Sequence, residues 1–292
     1  MSIIGHKKII DSLNQMCTNK HLSHAYLFCG PEAVGKFLVA MEFALKLTGE
    51  AGGINRNLFI IEPQIEEKDG ILKEKEIKTE EVKKLQKEFS LTSFGSNYRV
   101  AIIRSAQKMN ISSQNALLKI LEEPPENSML ILVAENEKKL LPTILSRCQM
   151  VKFNLLSDVE IEAMIDETIR NKKESIFWSF GRPGLMQNFL ENGVELEERI
   201  DLAKEFNALF SMELNEKLFL AEKISKNTPA LLQKMDFWIM LLRKAILGEE
   251  ILAKISPNKA LKLIENIQES KKIISTTNSN VRLVVENLLV LF

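Results

Sequence analysis

The sequence predicts an α/β domain followed by an all-α region, and three observations carry this. Five short apolar runs rich in β-branched and aromatic residues are spread through the first half of the chain, with helical patterns between them. The runs are almost continuously apolar, the mark of strands buried on both faces of a parallel sheet. Beyond Phe153 the strand signals fade and helical periodicity takes over.

The first strand candidate is Ala25–Cys29. A stretch from Phe37 to Leu47, apolar almost all round, reads as a buried helix. Leu58–Ile61 is the second strand. The charged segment 66–78 reads as a solvated loop or hairpin. Val82, Leu85 and Phe89 then mark an amphipathic helix with Thr79 as its expected cap. Arg99–Ile103 is the third strand. Ala116, Leu117, Ile120 and Leu121 mark a helix that Pro124 and Pro125 stop. Met129–Val133 and Met150–Phe153 complete a five-stranded parallel sheet. The expected divisions are an α/β domain over 1–154, a small helical domain over 155–202 and a helical bundle over 203–292. Within the bundle Phe206, Phe210, Phe219, Phe237 and Trp238 are spaced as core positions of helices, with some left for an interface.

Composition narrows the function classes. The 292 residues are 45% hydrophobic and 27% charged, so the chain is globular rather than disordered. Its 39 basic and 39 acidic side chains cancel, which argues against coating nucleic acid by charge alone. No apolar run approaches the ~18 residues of a membrane helix, and the first residues do not read as a signal peptide. The three cysteines, Cys17, Cys29 and Cys148, are widely spaced and fit a reducing cytoplasm. His21 and His24 stand three apart but have no neighbouring ligands in sequence, so no metal site is expected.

The first strand runs into Gly30-Pro31-Glu32-Ala33-Val34-Gly35-Lys36-Phe37, the spacing of a phosphate-binding loop. Glycines let backbone amides wrap phosphates, and the lysine reaches the outer ones. Two parts of the magnesium machinery are missing. Phe37 stands where a Ser or Thr hydroxyl should hold the ion, and Arg104 follows the third strand where an acid should stand. Three readings stand: a fold element that holds no nucleotide, weak ATP or ADP binding without hydrolysis, and true hydrolysis. The first is favoured.

Asn115-Ala116-Leu117-Leu118-Lys119-Ile120-Leu121-Glu122-Glu123-Pro124-Pro125 and Leu141-Pro142-Thr143-Ile144-Leu145-Ser146-Arg147-Cys148 resemble two motifs of bacterial clamp-loader subunits. His24–Phe28 and Leu58–Pro63 fit the same family, so the resemblance covers most of residues 20–153. Within it, the crippled loop and missing acid are most similar to the delta-prime branch. The resemblance implies an AAA+ module with a small helical lid, then a helical collar that joins a hetero-pentamer. It implies a component of the DNA polymerase III holoenzyme, with gamma or tau and delta subunits as partners, that helps load the sliding clamp onto primed DNA. It also implies that ATP is hydrolysed by neighbours. The alternatives are a gamma- or tau-like ATPase that compensates for Phe37, and a repair ATPase built on the same module.

The resemblance makes Arg147 an arginine finger, acting in trans on ATP held by the adjacent subunit. Taken alone, it reads as a surface arginine paired with a carboxylate. Gly30, Gly35 and Lys36 are the residues of the vestigial phosphate loop. Relatives usually carry a four-cysteine zinc module after the first helix of the module. Here residues 48–57 are short and cysteine-free, so no zinc is expected and no cofactor is required. Cys148 reads as a packing residue, and Glu122-Glu123 as a helix end. Ser112, Ser113 and Gln114, with Arg104 and Lys108, offer either a contact to DNA phosphates or a helix cap. Asn136 is the candidate polar sensor of nucleotide, and Arg182 falls out of register with the lid arginine of active relatives.

Overall fold

In a computed structural model, the structure describes residues 3–19, 21–49, 56–68, 71–89, 98–166, 169–249 and 255–292. The chain divides into two compact units, Met1–Leu190 and Glu191–Phe292.

The first unit opens with α1 (Lys7–Thr18), β1 (Ala25–Cys29) and α2 (Lys36–Thr48). β2 (Leu58–Ile61) follows, then β3 (Ile65–Lys68) and β4 (Ile71–Glu74), α3 (Thr79–Phe89) and β5 (Arg99–Ile103). α4 (Ile111–Glu122), β6 (Ser128–Ala134), α5 (Pro142–Leu145) and β7 (Gln149–Lys152) complete the α/β part. α6 (Asp158–Glu162), α7 (Lys172–Ser179) and α8 (Pro183–Glu191) make the helical remainder.

The sheet has five strands in the order β2-β5-β6-β1-β7, every pair parallel. Alternate residues bury on opposite faces. Leu27, Ala101, Ile103, Leu130 and Leu132 pack with α3 and α4. Tyr26, Phe28, Val100, Ile102, Met129 and Ile131 pack with α1 and α2. Two covered faces are why these strands are apolar without alternation. β3 and β4 pair antiparallel, so the charged segment is a hairpin rather than a loop.

Thr79 is not the cap of α3. The helix hydrogen bonds start from the Lys78 carbonyl, and Glu81 accepts from the Lys78 amide. Thr79 Oγ1 instead meets Ser113 Oγ at 3.4 Å. Glu81 thus makes the reciprocal half of a capping box, its carboxylate accepting from the amide at the cap position. A separate small core forms from Leu156, Ile161, Ile176 and Met186, with Ile4 of the N-terminal segment packed against it.

The second unit is five helices: α9 (Gly193–Ala208), α10 (Leu214–Ser225), α11 (Thr228–Ile246), α12 (Pro257–Thr276) and α13 (Val281–Val290). Asn192 caps α9, which runs on through the expected division at 202–203. α11 packs along α12, and α10 along α13. Phe206, Trp238 and Phe292 form an aromatic cluster, with Phe206 stacked on Trp238 at 5.4 Å between centroids. Phe237 is buried too, whereas Phe219 is 73% exposed and belongs to no core. Among the described residues no helix is long and apolar enough to cross a membrane.

Candidate functional site

The phosphate loop links the end of β1 to the start of α2, and contacts from within and outside it hold its backbone. A Cβ on Gly30 would sit 2.1 Å from the Phe153 carbonyl oxygen, so the glycine is required by packing. Ala33 and Gly35 are left-handed, with φ of 58° and 97°; Gly35 has open space at its Cβ position. Gly30→Ala is therefore expected to cost about 3 kcal/mol through the steric clash, and Gly35→Ala only about 1 kcal/mol of backbone strain. Urea unfolding of the two variants checks this. Equal losses would show that the Phe153 contact does not set the requirement.

Lys36 is buried, with only 6% of its surface exposed. Its Nζ donates to the Gly30 carbonyl at 2.7 Å and to the Pro31 carbonyl. The lysine thus ties the loop to itself. Burial lowers its pKa, and the carboxylates of Glu135 and Glu32 act in the opposite sense. Other contacts brace the loop from outside. His6 Nε2 donates to the Val34 carbonyl at 2.9 Å, and the Gly184 amide at the start of α8 donates to the Ala33 carbonyl at 2.8 Å. Arg182 stands close enough that its charge also lowers the Lys36 pKa.

Beside the loop lies a cleft of about 280 Å³ lined by Gly35, Lys36 and Phe37 together with Glu32, Glu74, Arg104 and Glu135. The two odd residues of the motif meet here. The Arg104 guanidinium lies 5.1 Å from the centre of the Phe37 ring, and Arg104 also pairs with Glu62 at 3.2 Å. An aromatic ring and a cation thus stand in contact where the motif pattern calls for a hydroxyl and an acid. Burial, with Glu32 nearby, raises the Glu135 carboxyl above its ordinary pKa. A nucleotide bound here would have to draw Lys36 off two carbonyls and share the cleft with Glu32 and Glu135.

Asn136, the expected sensor, caps a turn instead: its Oδ1 accepts from the Lys138 amide at 2.9 Å. Its neighbour Glu135 is the residue that lines the cleft. Among the described residues no three His, Cys, Asp or Glu side chains gather as a metal site. Most of the cysteine-free segment 48–57 lies outside the described residues.

Arg147 does not line this cleft; it sits between α5 and β7. Its Nη1 donates to the Thr143 carbonyl at 3.0 Å, and its Nη2 lies 3.0 Å from Glu122 Oε1 at the end of α4. About a third of the side chain remains exposed. Cys148 beside it packs on the core, and burial pushes its thiol up to about 12. Gln114 links the start of α4 to the segment before α5. It donates to the Met109 and Lys139 carbonyls and accepts from the Leu141 amide. Ser113 is likewise internal, its hydroxyl donating to the Ile77 carbonyl at 2.8 Å and its amide donating to Asn110 Oδ1, the cap of α4. Ser112 stays exposed, and Lys108 pairs with Glu74 at 3.7 Å.

The family model described as "DNA polymerase III, delta subunit" matches residues 5–157, just over half of the chain. Relatives named "DNA polymerase III subunit delta'" refine the match. The Bacillus subtilis protein is 34% identical over 55% of this chain and 51% of its own length. The Pseudomonas aeruginosa protein is 26% identical over 92% of this chain and 91% of its own. The chain belongs to the delta-prime family. A solved Thermotoga maritima protein, described as DNA polymerase III gamma subunit-related, is 18% identical, covers 95% of this chain and 97% of its own, and has a TM-score of 0.48. In this delta-prime family member the matched region takes in both the closed loop and Arg147. Glu135 and His6 lie outside the quoted motifs, and Glu122 lies within one that does not name its partner. Only the folded chain shows that they face the cleft, the loop and the arginine.

Proposed function

We propose that this chain is a non-catalytic subunit of the clamp loader that supplies Arg147 in trans to ATP held by a gamma or tau neighbour. It works within a hetero-pentamer that also contains delta, in the cytoplasm, and helps place the sliding clamp on primed DNA. The observation that carries the reading is the state of the loop: Lys36 is bonded to carbonyls of the loop itself, while the Arg104 guanidinium lies over the Phe37 ring. A subunit so built contributes by what it presents to a neighbour. Arginine suits the task, because its fork stays charged and can hold two oxygens of a transferring phosphoryl group. Residues 155–190 are the lid, the second unit is the collar that joins the ring, and the chain requires neither zinc nor nucleotide.

Calorimetric titration of the isolated chain with ATP and magnesium tests the first half. No heat of binding is expected up to millimolar ATP. Micromolar binding would move the chain to the gamma- or tau-like ATPase class.

A further inference from the structure

Resting on the finger reading, we infer that Glu122 is the positioning residue that aims Arg147. A single bond from Nη1 to the Thr143 carbonyl would leave the guanidinium free to swing about that contact. The ion pair of Nη2 with Glu122 Oε1 at 3.0 Å draws the other arm of the fork toward the end of α4 and narrows that swing. Glu122 is itself well placed to be fixed. It is the last residue of α4, and Pro124 and Pro125 prevent the helix from continuing.

The location is informative. A carboxylate at a helix C-terminus faces the negative end of the helix dipole, so local electrostatics do not favour it there. The guanidinium opposite supplies the compensation. Guanidinium has five N–H donors, and the hydrogen bond to Thr143 uses one of them while the Glu122 ion pair engages Nη2. The others remain to meet a phosphoryl oxygen while Glu122 keeps its hold.

Exposure sets the strength. The Arg147 and Glu122 side chains keep 35% and 52% of their surface open. Pairs this exposed shift an equilibrium only about two- to fivefold. A buried pair would hold the arginine against the phosphate; this one orients the arginine and can release it.

The test uses the reconstituted loader with clamp and primed DNA, and four forms of this chain: parent, Glu122→Gln, Arg147→Ala and the double variant. Glu122→Gln is expected to lower kcat for ATP about two- to fivefold, with KM and assembly unchanged, and Glu122→Asp to restore part of the loss. In the Arg147→Ala background Glu122→Gln should change nothing, because its effect passes through Arg147. The isolated Glu122→Gln chain should melt within a few degrees of the parent, as expected for losing so exposed a pair. A normal kcat for Glu122→Gln beside a slow Arg147→Ala overturns the positioning role alone. A further loss of kcat in the double variant also overturns it. Full turnover in Arg147→Ala overturns the finger reading and this inference with it.

Discussion

On the proposed finger role, replacing Arg147 by alanine is expected to slow ATP turnover in the reconstituted loader at the site it would serve by about 10³-fold, the lower end of what arginine fingers contribute. The fold should not suffer. Arg147 is partly exposed, and its pair with Glu122 is worth no more than about 1 kcal/mol to the chain. Assembly of the loader should therefore persist, and the loss should appear as a missing fast phase of phosphate release once clamp and primed DNA are added. Arg147→Lys keeps the charge but not the planar fork, and is expected to recover only part of the rate. Unchanged phosphate release in the alanine form would leave Arg147 as a surface arginine held by a carboxylate and nothing more.

The second large effect is on stability. Trp238 is 1% exposed and packs against Phe206 and Phe292, with centroids at 5.4 and 5.8 Å. Trp238→Ala is expected to cost about 3–5 kcal/mol. Its indole Nε1 has no hydrogen-bond partner in the structure, so Trp238→Phe gives up volume but no bond and should cost about 1 kcal/mol. The two tryptophans report separately, since Trp178 lies in the first unit and Trp238 in the second. In the alanine form, helical circular dichroism should fall at lower urea while Trp178 fluorescence keeps its midpoint. A loss below 1 kcal/mol would mean that the aromatic cluster is not what holds these helices together.

The central sheet was legible because both its faces are covered, and a strand buried twice can hardly avoid an unbroken apolar run. Ala25–Cys29 and Arg99–Ile103 match the observed strands residue for residue. The phosphate loop was legible for a different reason, its fixed spacing. What could not be read were relations between distant residues. Glu122 and Arg147 are 25 positions apart and meet only because α4 and α5 pack. The choice between Glu135 and Asn136 turns on which side chain caps a short turn, and sequence spacing does not settle that. The end of the lid shows the same limit. Asn192-Gly193 begins a helix that runs to Ala208, yet the pattern there suggested a division ten residues later.

Gly30 and Lys36 hold their places for reasons that need no ligand: one lies against the Phe153 carbonyl, the other satisfies two carbonyls of its own loop. Natural selection on folding alone would keep both, whether or not a nucleotide binds. On the proposed reading the loop's architectural letters outlast its chemical ones, and the motif persists as a frame that still bears weight.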